Sequence, residues 1–123
     1  MIVLVCGGRD YGNPKYHPPD VVAAQVAKAF AYFDVIRDSI DIVIQGGATG
    51  ADSVARSWAI SRGIHSAEVK ALWGIYQKSS GPIRNNAMLL LKPDLVIAFP
   101  GGPGTRDMVK KATARGIEVR HVL

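Results

Sequence analysis

Three times along this chain a short run of aliphatic, largely β-branched residues ends at or just before glycine: Ile2–Cys6 before Gly7-Gly8, Ile42–Ile44 before Gly46-Gly47, and Leu95–Phe99 before Pro100-Gly101-Gly102. Continuous apolar runs, as opposed to alternating ones, mark strands covered on both faces, the condition of a parallel sheet. The segments between them read mostly as helices. After a lead containing Pro14, Pro18 and Pro19, Val22, Val26, Phe30 and Phe33 recur at spacings of three and four, which gives one apolar face to a helix ending near Arg37. Ala51–Arg62 carries Val54 and Trp58 on one side and is closed by Gly63. A weaker third strand is expected at His65–Lys70, an irregular loop with a mobile tip at Trp73–Pro82, and a short helix at Ile83–Leu91 that Pro93 stops. Thr105–Arg115, closed by Gly116, reads as the last helix, and Ile117–Val122 as a final alternating strand.

Strands alternating with helices imply right-handed βαβ crossovers. The expected fold is a Rossmann-like α/β domain, a three-layer α/β/α sandwich around a mainly parallel sheet of about five strands, with residues 1–123 as one domain. A chain of 123 residues can bury a core without disulfides or metals. Cys6 is the only cysteine, which excludes an internal disulfide and favours a reducing, cytoplasmic setting. No apolar run approaches the ~20 residues of a bilayer span and no basic segment precedes the first strand, so a soluble, unprocessed protein with no membrane partner is expected.

In sheets of this kind ligands gather beyond the carboxyl ends of the strands, where the three glycine loops would converge. The loops are Gly7-Gly8-Arg9-Asp10, Gly46-Gly47-Ala48-Thr49-Gly50-Ala51-Asp52 and Pro100-Gly101-Gly102-Pro103-Gly104-Thr105. Glycine lets the backbone approach a ligand closely, and the helix that follows offers unpaired N–H groups to an anion, phosphate being the natural guest. Any one such turn needs glycine for its own geometry; three at one sheet edge favour a site. Neither G-x-G-x-x-G after the first strand nor G-x-x-x-x-G-K-[ST] anywhere is present, which argues against a dinucleotide dehydrogenase or a P-loop NTPase.

Individual residues carry competing readings. Thr49 and Asp52 fit a capping box at the second helix, the favoured role, with direct ligand contact as the alternative. Thr105 is expected as N-cap of the last helix or as a phosphate donor, with Asp107 pointing away from the site. Arg84, next to Asn85 and Asn86, suits a bidentate phosphate clamp. Arg9 and Asp10 can pair with each other, Trp73 is read as a packing residue before a base-stacking one, and Cys6 as a core residue before a nucleophile. His17, His65 and His121 lack metal-ligand spacing, and neither a metal nor a cofactor is expected. The formal charge is +5, and Lys110, Lys111, Arg115 and Arg120 crowd the end of the chain. With no interleaved aromatics, these cations are read as complementing a helix dipole before a nucleic-acid footprint.

Gly7-Gly8-Arg9-Asp10-Tyr11, the loop Gly46–Asp52, Trp73, Gly81-Pro82-Ile83-Arg84-Asn85 and Phe99–Thr105 together resemble the YspA-like (DUF2493) branch of the SLOG superfamily, in order and over almost the whole chain. The resemblance implies a Rossmann-like fold and binding of nucleotides or nucleotide-derived molecules. Relatives include DprA and the Lonely Guy phosphoribohydrolases, whose P-G-G-x-G-T-x-x-E motif is matched here through Thr105 but has Met108 at its final glutamate. Arg84 matches the arginine of those hydrolases. Asp107, one residue and ~100° of helix rotation away, is no automatic substitute for the glutamate.

The leading expectation is therefore a ligand-binding or sensor domain. Its site residues would be Gly7, Gly8, Arg9, Gly46, Gly47, Thr49, Gly50, Arg84, Asn85, Pro100, Gly101, Gly102, Gly104 and Thr105. The alternative is a nucleoside 5′-monophosphate N-glycosidase, with Arg84, Asp10, Asp52 or Asp107 as catalytic candidates. Nucleic-acid binding through the basic surface is the weakest reading, and a helix face that pairs two copies would suit a homo-oligomer.

Overall fold

The computed structural model describes residues 1–123. Five strands, β1 (Ile2–Cys6), β2 (Ile42–Gln45), β3 (His65–Glu68), β4 (Leu95–Ala98) and β5 (Glu118–His121), form one sheet in the order β3-β2-β1-β4-β5. Every pairing is parallel. The helices are α1 (Pro19–Ile36), α2 (Ala51–Arg62), α3 (Trp73–Tyr76), α4 (Ser80–Leu89) and α5 (Pro103–Ala114). None is long and apolar enough to cross a membrane.

Side chains leave a strand alternately to its two faces, and the central strands sort their residues accordingly. Val3 and Val5, Val43, and Leu95 and Ile97 enter one core with α1 and α2, where Phe33 and Trp58 are fully buried. Leu4 and Cys6, Ile44, and Val96 and Ala98 enter the other with Met88 and Leu89 of α4 and Met108 and Ala112 of α5. This is the expected three-layer Rossmann-like sandwich. An aromatic row, Tyr11–Phe99–Phe33–Trp58, with successive ring centroids 4.8, 5.7 and 5.1 Å apart, ties the first and third loops to both helices of the first core.

The segment expected as an irregular loop, Trp73–Pro82, is mostly helical. α3 is followed by a 3₁₀ turn at Gln77–Ser79, and α4 begins at Ser80, three residues before Ile83. Pro82 is admitted because it lies in the first turn, where an N–H has no intrahelical partner to lose. α5 likewise starts earlier than expected, at Pro103 behind the N-cap Gly102, so Thr105 is a first-turn residue and not the cap. β3 and β5 are shorter than expected and lie at the sheet edges, where their mostly polar residues are largely exposed.

Candidate functional site

The chain runs from β1 outward to β2 and β3, then returns across the sheet to add β4 on the other side of β1. The loops after β1 and β4 therefore diverge to opposite faces and leave a crevice at their carboxyl ends. A cleft of about 670 Å³ occupies that place, the size of a small-ligand pocket.

The three loops meet at its floor through their backbones. The Gly8 N–H donates to the Pro100 carbonyl at 2.8 Å, and the Gly8 carbonyl accepts from Ala51 N–H at 3.1 Å. Gly50, at φ +81°, lies so close to the Gly8 and Arg9 backbone that no side chain fits there, and a Cβ on Gly101 would stand 2.8 Å from the Gly8 nitrogen. Of the residues expected at the site, Gly7, Gly8, Arg9, Asp10 and Asp52 line the cleft with Arg84, Asn85, Gly102, Gly104, Thr105 and Asp107. Gly46, Gly47, Thr49, Gly50, Pro100 and Gly101 do not reach its wall; Gly46, Gly50 and Gly101 instead shape the floor or seat its side chains.

At the third loop the N–H groups of Gly104 and Thr105 have no backbone acceptor, whereas Arg106 N–H already returns to the Gly102 carbonyl at 3.1 Å. Two donors at the positive end of a twelve-residue helix thus face the cleft. Arg84 is brought beside them from α4. Its Nη1 donates to the Gly46 carbonyl at 3.0 Å and its Nε to Asn85 Oδ1 at 3.2 Å, while Nη2 has no protein acceptor. The guanidinium lies over Gly46, where a Cβ would come within 2.8 Å of Cζ. Asn85, itself buried, turns its amide to Gly104 O at 3.2 Å and Asp107 Oδ2 at 2.9 Å, and Lys111 Nζ holds the same carboxylate at 3.0 Å.

Asp107 therefore points inward, contrary to expectation, because the Asn85 amide and the Lys111 ammonium supply the partners that draw it there. Burial pushes its carboxyl up, but hydrogen bonds from Asn85 and Lys111 and the charges of Lys111 and Lys110 outweigh that and leave it below the usual range. The expected capping box at Thr49 does not form. α2 is capped by Gly50 without a side-chain bond, and Asp52 Oδ2 instead accepts from Gly46 and Ala48 N–H, each at 3.2 Å. Burial raises the Asp52 carboxyl to about 6, against the opposing pull of those two amides and of Arg84. Cys6 is a core residue as expected; burial, with the Asp52 charge nearby, pushes its thiol up to about 12.

Arg9 and Asp10 do not pair with each other. Arg9 places its guanidinium carbon 5.8 Å from the centre of the Trp73 ring, and Asp10 lies 3.5 Å from His17 Nε2. Trp73 is half exposed at the cleft wall and is not a packing residue, because α3 lies outside both cores. Tyr16 and Lys78 also line the cleft. No local motif marks either in the sequence, and only proximity to the first loop and to Trp73 hints at them. Met108, at the position of the missing glutamate, is fully buried in the second core.

The strand order, the two-sided helical cover and the cleft at the reversal point define a Rossmann-like α/β protein. A solved structure described as TM1055, a structural-genomics target, shares this fold at a TM-score of 0.73 and 19% identity, covering 97% of this chain and 72% of that one. The chain belongs to the YspA, cpYpsA-related SLOG family, whose model matches residues 1–76. The matched stretch holds the first two loops and Trp73; Arg84 and the third loop follow it. The chain is also similar to the Gene 61 protein of Mycobacterium phage D29, 34% identical in an alignment 89 positions long that covers 63% of this chain and 68% of the phage protein.

Proposed function

We propose that the cleft binds a nucleotide or nucleotide-derived molecule, with its phosphate at the start of α5. One observation carries the reading: the open N–H groups of Gly104 and Thr105 share a cleft with Arg84, whose Nη2 has no protein acceptor. Phosphate is recognised by this combination of helix-terminal amides and a planar cationic fork. Trp73, half exposed on the same wall, offers a face for a base. Membership of the SLOG family supports a nucleotide-related ligand. Calorimetry against nucleoside mono-, di- and triphosphates, nucleotide-sugars and the parent nucleosides tests it. At least one phosphorylated ligand should bind, and Arg84→Ala should weaken it about 10- to 100-fold while leaving the nucleoside little changed. Intact protein that binds none of the panel would refute the reading.

A second reading, hydrolysis of a nucleoside monophosphate, is favoured by one feature. Asp52 lines the same cleft with a carboxyl near 6, suited to giving or taking a proton close to neutrality. Chromatography for free base after incubation with the common monophosphates decides it: product formation abolished in Asp52→Asn supports the enzyme, and no product from intact protein removes it.

A further inference from the structure

We propose that a second hollow, on the other side of the third glycine loop from the cleft, binds a small organic acid, an apolar body carrying one anionic head. The hollow has a volume of about 340 Å³, within the range of small-ligand pockets, and lies where β4 and β5 end against α5. A small side chain makes room for it. Val96 and Ala98 leave β4 on the face that packs against α5, and the alanine leaves unfilled the depth a larger aliphatic would occupy. Val109 of α5 and Val122 after β5 supply the rest of the apolar lining. Thr105 borders both spaces, so the loop is the partition between them.

Charge fixes the sign of the guest. Arg106 and Lys110, one turn apart on α5, and His121 on β5 line the hollow, and no Asp or Glu does. None of the three forms an ion pair, whereas their neighbours Lys111 and Arg120 are taken by Asp107 and Glu118. Folding alone does not recommend this arrangement. Arg106 is the fourth residue of α5, at the end whose dipole disfavours a cation, and that first turn holds no acidic residue. Like charges four residues apart on one helix repel as well. The carboxylates nearest in sequence are committed elsewhere: Asp107 turns into the cleft with Asn85 and Lys111, and Glu118 leaves β5 on the face opposite His121. A guest carboxylate relieves both strains, and the Arg106 guanidinium offers it two parallel donors. Apolar lining and unpaired cations together select an acid with a hydrophobic body over a bare anion or a neutral apolar molecule. The hollow stands apart from the phosphate seat, so its test uses no nucleotide.

Titration of the isotope-labelled full chain with phenylpropionate and with isocaproate, followed by amide chemical shifts, tests the proposal. At least one of the acids should bind with a dissociation constant of about 1 mM or tighter, and the shifts should centre on the ends of β4 and β5 and on Thr105 to Lys110. The corresponding amides keep the body and lose the charge, and acetate keeps the charge and loses the body; each should bind at least about ten-fold more weakly. Arg106→Gln, at an exposed position, should weaken the acid about ten-fold or more with an unchanged thermal melt. Arg115→Gln removes the same charge farther along the chain, outside the hollow, and should leave the affinity as it was. Equal affinity for acid and amide overturns the proposal, as do shifts confined to the cleft around Arg9, Trp73 and Arg84, or no shift at about 20 mM of either acid. A single-stranded oligonucleotide that displaces the acid, with an affinity that falls as salt rises, would overturn it too by assigning the three cations to nucleic acid.

Discussion

Asp52 keeps its proton over a range of pH in which the unfolded chain has already released it, because the folded carboxyl titrates near 6 and an ordinary aspartate near 3.8. A carboxyl raised by folding costs stability as pH rises between those values, in the end on the order of 2–3 kcal/mol. Asp52→Asn should flatten the pH dependence of stability between about 4 and 6 and make the protein more stable at pH 7 than the parent. Urea denaturation at three pH values measures this, and parallel profiles for the two proteins would contradict the burial argument. The glycines separate by a similar test. Gly50→Ala meets both a left-handed backbone and the Gly8 carbonyl, and should destabilise by about 3 kcal/mol or more. Gly104 lies inside α5 with no atom near a notional Cβ, so Gly104→Ala, which keeps the backbone N–H, should raise thermal stability by up to about 1 kcal/mol. Thermal melts of the two variants beside the parent check both signs, and a destabilised Gly104→Ala would contradict the open space at that helix end. At this scale the sequence showed residue types but not directions. Thr49-x-x-Asp52 has the spacing of a capping box, yet Gly46 and Ala48 amides captured the carboxylate first. Asp107 was turned inward by Asn85, twenty-two residues away, a partner no local pattern reveals.

Among the elements, those that bury a periodic face were legible and those that do not were hidden. α2 occupies the segment its pattern marks, Ala51–Arg62, and Gly63 ends it at φ +68°. α3 and the first turn of α4 escaped because Gly74, Gly81 and Pro82 are punctuation in most contexts, and α3 contributes no side chain to either core. α4 and α5 are joined through Asn85, which spans from the Arg84 guanidinium to the Gly104 carbonyl. Asn85→Ala would leave Asp107 and the first turn of α5 short of a donor and free Arg84 to swing. It should cost about 1–3 kcal/mol in stability and weaken phosphate-bearing ligands as well. Chemical denaturation with parallel calorimetry checks both, and full stability in the variant would show that the link between the helices is immaterial.

For the whole molecule, three apolar runs stopping at glycine were enough to indicate a parallel sheet with helices on both sides, since a run without polar alternation has no face to show water. The order β3-β2-β1-β4-β5 was not readable, because nothing in β4 itself says on which side of β1 it will pair. β1 is the strand on which both cores depend: Val3 and Val5 serve one, Leu4 and Cys6 the other. Leu4→Ala should therefore cost about 2–5 kcal/mol, a large share of the 5–15 kcal/mol typical of a domain. The loss should appear together in helical ellipticity and in the fluorescence of buried Trp58; separate transitions would mean that the two layers fold independently. The glycine turns interlock, Gly50 against Gly8 and Gly8 in turn against Pro100, so the crevice takes its shape when the sheet forms. A guest arriving there finds its seat already assembled: association should be rapid, with little of the ordering entropy that flexible receptors surrender on capture.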